Sequence, residues 1–380
     1  MKSTLIESLI TNDCIKTGNF KLKNGSISKY YFDLKNIISF PTLLSDIGDY
    51  IYSNISEDFD IICGIPYGGL PLATYISTKY NKPMIMLRSS KKEYGMQKLI
   101  EGKYNKNMKC IIIDDVITSG KSLQDAYDIL KEEVNIIESI VVFNRQQNYK
   151  CSFDVKCLLH KNDFINYKLS KLIEDKKYLC FAADIKNPID LIEKVDLVGS
   201  YIGICKIHSD IIDYNIMNFD EFKQKLIELS IKYNFLIMED RKFVDISSVV
   251  ESQYDKFCNW VDLVTVHSTV TNETISKLSG ALVVANMSNN TYDYTEDAIN
   301  LSKNNPNNVV GFISQHRILD NSKLYTMTPG VSFKESNDAD QRYRSIKNVD
   351  CDFFIVGRTL YNSDDIIASI NDLFTKTLEN

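Results

Sequence analysis

One apolar run in the sequence ends in two adjacent carboxylates and a loop of small polar residues. The segment reads CIIIDDVITSGKS, and its carboxylates are Asp114 and Asp115. The loop precedes a helix predicted to begin near Leu123, and it contains Thr118, Ser119, Gly120, Lys121 and Ser122. A helix N-terminus with free backbone amides binds anions, and glycine lets the backbone approach the ligand. The loop therefore predicts a phosphate site, and the carboxylates suit sugar hydroxyls, directly or through Mg²⁺.

A second segment alternates lysine and aspartate after another apolar run. It reads FLIMEDRKFVDISS and contains Asp240, Lys242 and Asp245, while Lys206 follows the preceding run. A lysine held between carboxylates stays protonated at neutral pH, because opposite charge favours its ionised form. Such an ammonium can protonate a carbon that develops negative charge, and a fixed carboxylate beside a substrate carboxylate would favour loss of CO2. No metal or organic cofactor is expected for this chemistry.

Both segments lie in an acidic chain of ordinary globular composition. The 380 residues carry a formal net charge of −6, so the bulk charge favours neither nucleic acid nor an anionic membrane. The nine cysteines have no metal-binding spacing and are predicted to be free thiols in a reducing compartment. Because the sequence has no membrane-length apolar run and no leader-like N-terminus, we expect a cytoplasmic protein.

Apolar β-branched runs alternate with helical patterns, which is typical of α/β domains built on parallel strands. In the first part the predicted strands are Asp60–Ile65, Met84–Leu87, Cys110–Asp114 and Ser139–Phe143. A lysine-rich amphipathic pattern without glycine or proline then predicts a helical connector over residues 161–177. The length of the chain agrees with one domain before the connector and one after it.

Eight short apolar runs follow the connector. They are Leu179–Ala183, Tyr201–Cys205, Phe235–Met238, Asp262–Val266, Ala281–Ala285, Val309–Ile313, Leu324–Thr328 and Phe353–Val356. Eight β/α units in about 200 residues predict a (β/α)8 TIM barrel. Polar or small residues come after each run, among them Asp184, Lys206, Asp240, His267, Ser288, Gln315, Pro329 and Arg358. Because barrel active sites form at the C-terminal ends of the strands, we expect these side chains to converge.

The first part of the chain resembles the type I phosphoribosyltransferases. IIIDDVITSGKS is similar to their PRPP-binding motif, and FKLKNGSISKYYFDLK, CGIPYGGLPLA and LRSSKKEYG resemble segments of orotate phosphoribosyltransferase. This resemblance implies a mostly parallel sheet flanked by helices, with Mg²⁺ accompanying PRPP near the paired carboxylates. It also implies that Lys23 lies near orotate and PRPP. Arg88 and Lys92 would stabilise the charge of the departing pyrophosphate.

The second part resembles orotidine 5′-monophosphate decarboxylase over its whole length. EDRKFVDI is similar to the D-x-K-x-x-D core of that family. The resemblance implies that Lys242 protonates C6 of the pyrimidine, with Lys206 and Asp240 beside it and Asp245 of the partner subunit completing the charged array. The implied contacts to OMP and UMP are Asp184, His208, Ile246, Ser288, Pro329, Gln341, Tyr343, Gly357 and Arg358.

Several positions depart from the patterns of these families. Gly68, Ser89 and Tyr94 stand where the transferases often carry basic residues. Ala182, Val249 and Thr359 stand where the decarboxylases often carry serine, threonine and glycine. We therefore expect weaker contacts to pyrophosphate and to the ribose, base and phosphate of OMP.

The resemblances together predict an orotate phosphoribosyltransferase domain over 1–160, the connector over 161–177 and a decarboxylase barrel over 178–380. They imply a homodimer that converts orotate and PRPP to OMP and then to UMP. Two alternatives stay open: one half is a non-catalytic nucleotide-binding or scaffold module, or the transferase takes another nucleobase. Taken singly, the basic residues could be surface charges. His208 and His267 are more typical of packing or hydrogen-bonding histidines than of catalytic ones.

Overall fold

The computed structural model describes residues 1–21, 27–88, 99–145, 149–289, 292–319, 323–332, 336–337 and 342–378. The chain divides into two compact units. The N-terminal unit comprises Met1–Lys16 and Tyr30–Phe164, and the barrel unit comprises Thr17–Lys29 and Ile165–Asn380. Thr17–Lys29 therefore belongs to the barrel unit although it comes early in the chain.

The first half of the chain contains five helices and eight strands within the described ranges. The helices are α1 (Lys2–Thr11), α2 (Pro41–Ser53), α3 (Gly69–Tyr80), α4 (Lys121–Leu130) and α5 (Lys161–Glu174), with a 3-10 turn at Leu34–Ser39. The strands are β1 (Ile15–Lys21), β2 (Ile27–Phe32), β3 (Ile61–Gly64), β4 (Met84–Leu87), β5 (Ile100–Glu101), β6 (Lys109–Ile117), β7 (Asn135–Asn144) and β8 (Lys156–His160).

A six-stranded sheet forms the centre of the N-terminal unit. Its strand order is β5-β4-β3-β6-β7-β8, and all neighbours are parallel except the β4–β5 pair. Strands β3 and β6 are almost wholly buried because both lie inside the sheet and carry mainly isoleucine. The carboxyl end of the long central strand β6 carries Asp114 and Asp115, so the sheet holds both acids on a rigid edge.

The rest of the chain contributes strands that close a barrel and helices that cover it. The strands are β9 (Leu179–Ala182), β10 (Ile202–Ile207), β11 (Leu236–Phe243), β12 (Leu263–His267), β13 (Ala281–Val284), β14 (Val309–Ile313), β15 (Tyr325–Thr328), β16 (Val331–Ser332), β17 (Ser336–Asn337), β18 (Arg342–Ser345) and β19 (Phe353–Val356). The helices are α6 (Pro188–Val198), α7 (Phe219–Tyr233), α8 (Ser247–Phe257), α9 (Asn272–Ser276), α10 (Thr295–Asn304), α11 (Arg358–Tyr361) and α12 (Ile366–Leu378), with 3-10 turns at Ser209–Ile211 and Ile346–Asn348.

The barrel closes in the order β9-β10-β11-β12-β13-β14-β15-β19, with every pair parallel. Its interior is filled by apolar side chains such as Met238, Leu282 and Phe353, and Leu169 and Leu172 of α5 pack into the same cluster. The predicted α/β class, with a mostly parallel sheet in the first unit and a TIM barrel in the second, is confirmed. Within the described ranges, no helix is long and apolar enough to cross a membrane.

The early segment of the barrel unit is fixed by a buried ion pair. The Lys29 ammonium donates to Asp262 Oδ2 at 2.8 Å and to the Phe235 carbonyl oxygen at 3.0 Å. Both charged side chains are almost completely buried. Asp262 Oδ2 also accepts from the Ile237 amide at 2.8 Å, so the carboxylate joins this segment to the starts of β11 and β12.

Three barrel strands extend past the ends that the apolar runs predicted. Lys206, Asp240, Lys242 and His267 lie within β10, β11 and β12, not after them. Backbone pairing continues there, as the Lys206–Met238 register and the Phe243–Val266 register show, with an irregularity between Glu239 and Phe243. The prediction ended these three strands just before Lys206, Glu239 and His267, because charged residues and histidine were taken to mark the end of a strand. Polar side chains can face a cavity while their backbone stays paired.

Candidate active sites

A cavity of about 260 Å³ lies at the C-terminal ends of the barrel strands. Its floor and walls combine charged side chains with apolar ones such as Val284, Ile313 and Ile355. The structure brings together ten of the side chains predicted for this site: Asp184, Lys206, His208, Asp240, Lys242, Ser288, Pro329, Tyr343, Gly357 and Arg358. Gln341 lies outside the described residues.

Asp240 holds the two lysines of the cavity together. Lys206 Nζ lies 3.1 Å from Asp240 Oδ2, and Lys242 Nζ lies 2.8 Å from Oδ1 of the same carboxylate. Burial opposes ionisation of Asp240, but Lys206 and the other neighbouring cations hold its pKa well below the usual range. Lys206 also contacts Asp184, at 2.9 Å. Burial by itself would lower the pKa of Lys206, but the Asp240 and Asp184 carboxylates outweigh that effect and raise the pKa above its usual value. Lys206 and Asp240 are therefore both ionised, and each lies beside at least one opposite charge.

A threonine on the next strand fixes this array and was missed in the sequence. Thr265 Oγ1 donates to Asp240 Oδ1 at 2.8 Å and accepts from the Lys242 amide at 2.9 Å. Lys242 has a left-handed backbone, with φ of 51°, and while its amide donates to Thr265, its ammonium donates to Asp240 Oδ1 at 2.8 Å. The sequence signal was present, because Thr265 is a polar residue in the middle of the apolar run LVTVH.

The opposite side of the cavity suits a phosphate. Arg358 begins α11 directly after β19, and its guanidinium carbon lies 5.9 Å from the centre of the Tyr343 ring. Thr359 donates to Ser332 Oγ at 3.1 Å, so this residue ties the last barrel loop to β16. Gln315 donates to the Pro329 carbonyl oxygen at 3.2 Å and braces the loop that carries Pro329.

Asp245 and Ile246 do not line the cavity of their own chain. Asp245 is exposed, and its Oδ1 accepts from the Ile246 amide at 2.7 Å just before α8 begins. The flanking side chains are apolar and open to solvent, with Val244 65% and Ile246 66% exposed. Large exposed apolar side chains next to a functional segment are typical of a protein interface.

In the N-terminal unit, Asp114 and Asp115 lie side by side on β6 and are both buried. Burial and then the neighbouring Asp115 charge raise the pKa of Asp114 well above its usual range. Oδ2 of Asp115 is buried and, among the described residues, has no hydrogen-bond partner, while the Lys35 ammonium lies 3.8 Å from it. Two adjacent buried carboxylates with one lysine near them favour a ligand that brings hydroxyl donors or a cation.

The loop after these acids leads into α4, which begins at Lys121, two residues before the predicted start near Leu123. Gly120 has φ of 82° and directly precedes α4, whose N-terminus has no side-chain cap. A β-carbon at Gly120 would lie 2.8 Å from the Lys150 carbonyl oxygen, so both the backbone angle and the space require glycine. Thr118, Ser119 and Ser122 surround this helix start, and Ser119 and Ser122 are exposed.

Of the three basic residues predicted to contact the transferase substrates, the structure describes Arg88. Arg88 follows β4, and its Nη1 donates to Glu101 Oε1 at 2.7 Å. Lys23 and Lys92 lie outside the described residues, as do Ser89 and Tyr94. The neighbourhood of Gly68 explains one departure, because a β-carbon there would lie 2.0 Å from the Asp115 carboxylate carbon. A lysine at position 68 is incompatible with this placement of Asp115.

Comparison with known proteins assigns both units. The model of the orotidine 5′-phosphate decarboxylase / HUMPS family matches residues 177–373, and that of the phosphoribosyl transferase domain matches residues 34–169. The uridine 5′-monophosphate synthase of Bos taurus is 31% identical over 97% of this chain and 94% of its own length. The chain belongs to the uridine 5′-monophosphate synthase family.

Single-domain relatives match each half of this uridine 5′-monophosphate synthase family member separately. The orotidine 5′-phosphate decarboxylase of Kodamaea ohmeri is 35% identical over 51% of this chain and 84% of its own length. The orotate phosphoribosyltransferase of Pyrococcus horikoshii is 38% identical over 40% of this chain and 83% of its own length. The predicted recognition of a bifunctional transferase and decarboxylase is confirmed.

Proposed function

We propose that this chain carries out both steps from orotate to UMP, with each step in a different unit. The transferase joins orotate to the ribose of PRPP, giving OMP and pyrophosphate. The barrel then removes the carboxylate of OMP as CO2. The observation that carries the proposal is the Asp240 carboxylate held between Lys206 and Lys242 inside a cavity that also contains Arg358.

The barrel geometry supports a direct decarboxylation. Arg358, Tyr343 and Gly357 would bind the phosphate of OMP, since guanidinium groups suit bidentate phosphate contacts. The pyrimidine then lies over the charged array. When the bond from C6 to the carboxylate breaks, CO2 leaves and the electron pair stays on C6, which takes a proton from Lys242 Nζ. Asp240 holds that ammonium in place through Oδ1 at 2.8 Å, and Lys206 fixes the other oxygen of the same carboxylate at 3.1 Å.

The remaining barrel residues would orient the substrate. Asp184 would accept from the ribose hydroxyls, while Ser288 and Pro329 would contact the base. His208, 3.1 Å from Lys206, would complete the wall beside the ribose. Ile246 and Gln341 stay proposed contacts to OMP.

In the transferase, the start of α4 and the hydroxyls of Thr118, Ser119 and Ser122 would bind the 5-phosphate of PRPP, with Gly120 and Lys121 in the same loop. Asp114 and Asp115 would bind its ribose hydroxyls. The pair also fits Mg²⁺, because Asp115 Oδ2 is a hard oxygen donor that is buried and accepts no hydrogen bond from the described residues. Bound Mg²⁺ would neutralise charge on the pyrophosphate as it leaves. Arg88, Lys92 and Lys23 would contact the same anionic substrates.

We further propose a homodimer with shared active sites in the cytoplasm. Exposed Val244 and Ile246 would pack against a second copy, so that Asp245 of the partner subunit enters the cavity beside Lys242. All nine cysteines lie within the described ranges and are free thiols, which supports a reducing compartment such as the cytoplasm.

Separate assays of the two half-reactions test the proposal. Orotate consumption with PRPP is followed by absorbance, and decarboxylation is followed by CO2 release from purified OMP. Lys242→Ala should abolish CO2 release and leave OMP formation at the wild-type rate. UMP accumulation at the normal rate by this variant would refute the assignment of Lys242. If the wild type performs only one half-reaction, the other unit is a binding or scaffold module.

A further inference from the structure

Glu239 is a buried acid next to the charged array that the proposed chemistry does not use. It precedes Asp240 on β11 and is completely buried, but it does not line the cavity. Its carboxylate oxygens accept from the Ser209 amide at 3.1 Å each, and Oε2 also accepts from Ser209 Oγ. Burying an acid among apolar residues is costly, so a buried carboxylate with one dedicated partner points to a specific task.

The partner of Glu239 directly follows a residue of the cavity. Ser209 comes after His208, whose Nε2 lies 3.1 Å from Lys206 Nζ and 3.4 Å from Asp240 Oδ2. Glu239 and Asp240 are consecutive residues, so one holds this loop from outside the cavity and the other contacts it from inside. The strands are in register at this point, because Ile207 of β10 pairs with Glu239 of β11.

A third contact between β11 and the loop after β10 lies nearer to solvent. Arg241 Nη1 donates to Asp210 Oδ2 at 2.9 Å. Consecutive residues 239, 240 and 241 of β11 therefore hold residues 209, 208 and 210 of the loop after β10. The outer pair is exposed, with the Asp210 side chain 54% accessible, while the Glu239–Ser209 contact is fully enclosed. The enclosed contact should dominate, because solvent weakens exposed ion pairs.

We propose that Glu239 is a positioning residue for decarboxylation, acting through Ser209 to hold His208 against Lys206 and Asp240. The inference rests on the proposed decarboxylase function of the barrel. Glu239 touches neither substrate nor the reacting atoms. Without it, the loop after β10 relaxes, and His208 no longer limits where the Lys206 ammonium lies. Misplacement of catalytic groups by about 1 Å can cost 10²-fold in rate, so a distant anchor can matter.

The test measures kcat and KM for CO2 release from purified OMP in the full-length chain. Glu239→Ala should lower kcat by about tenfold to 10²-fold with a smaller change in KM. Glu239→Gln, which keeps one acceptor for Ser209, should recover part of that loss. Asp210→Asn is the matched control on the same loop and should change kcat by less than about threefold. The fluorescence of Trp260, the single tryptophan and a buried residue of the barrel unit, reports whether the barrel is folded in the same preparations.

A double-mutant cycle separates positioning from general loosening of the barrel. If Glu239 acts through His208, Glu239→Ala should have no further effect on kcat in a His208→Ala background. Multiplicative effects of the two substitutions would overturn the proposal, and so would a wild-type kcat in Glu239→Ala. Should Glu239→Ala fail to fold, Ser209→Ala and Glu239→Gln replace it in the same cycle. An inactive wild-type barrel would refute the decarboxylase function itself, which is a separate outcome.

Discussion

At the scale of single residues, the decarboxylase site depends on how Asp240 is surrounded. Its two oxygens contact two ammonium groups and one hydroxyl, at distances between 2.8 and 3.1 Å. Hydrogen bonds to charged groups stabilise more than neutral ones, because the charge strengthens each contact in a weakly solvated site. Small changes around this carboxylate should therefore have large effects on rate.

Thr265 offers the most selective change of this kind. Thr265→Val keeps the shape of the side chain and removes the hydroxyl that bonds Asp240 and Lys242. We expect kcat for CO2 release to fall by about 10-fold to 10²-fold, the cost of losing a hydrogen bond to a charged group. Thr265→Ser keeps the hydroxyl and should stay within about threefold of wild type. Equal rates for the valine and serine variants would contradict this role.

Glu239 should also make folding stability depend on pH. Burial raises the pKa of Glu239 from 4.5 to about 6, so the folded chain holds this proton more tightly than the unfolded chain. Its contribution to stability is complete below pH 4.5 and is lost as the pH rises through 6. Relative to Glu239→Gln, wild type should lose about 2 kcal/mol between pH 4.5 and 7, measured by urea unfolding. A difference that does not vary with pH would contradict the shift.

At the scale of elements, the sequence predicted all eight strands of the closed barrel but not where several of them end. The eight apolar runs each contain a strand, because short β-branched apolar runs bounded by polar residues are typical of buried strands. Strand β8 was missed, since KCLLH is short and leads directly into α5. The contacts of Glu239 and Thr265 could not be predicted, because they depend on the register between strands that are 20 or more residues apart.

The buried Lys29–Asp262 pair should stabilise the barrel unit. Lys29→Met removes the ammonium that lies 2.8 Å from Asp262 Oδ2, and breaking a buried ion pair from one side should cost about 3–5 kcal/mol. Trp260, the single tryptophan, is buried in the barrel unit, so its fluorescence can follow urea unfolding. Lys232→Met breaks an exposed pair with Asp196 and should leave the unfolding midpoint close to that of wild type, because solvent weakens exposed ion pairs. Identical unfolding midpoints for the two variants would contradict this prediction.

At the scale of the whole molecule, an acidic chain binds several anions in succession. Its net charge of −6 offers no general attraction to PRPP, orotate or OMP, so each must be bound by local donors. If those donors come from two subunits, activity belongs to the dimer and not to the single chain.

Mixing two inactive variants tests this shared site. Lys242→Ala and Asp245→Ala each remove one member of the array, and each should be inactive alone as a homodimer. In a hybrid dimer one of the two sites would contain both substitutions and the other neither. After unfolding and refolding an equal mixture, CO2 release should return to about 25% of wild type, since half of the dimers are hybrids with one intact site. No recovery in a mixture shown to contain hybrids would contradict a shared site.

The place of Lys29 in the chain has a consequence for how the protein is made. Its partner Asp262 is 233 residues further along and leaves the ribosome roughly 10–50 s later at ordinary rates of translation. During that interval the Lys29–Asp262 ion pair cannot form, so the early segment cannot take its place in the barrel unit until Asp262 has been translated. A gene divided at the connector would also assign Lys29 and Asp262 to different products, so two separately translated halves would not reproduce the barrel of the intact chain.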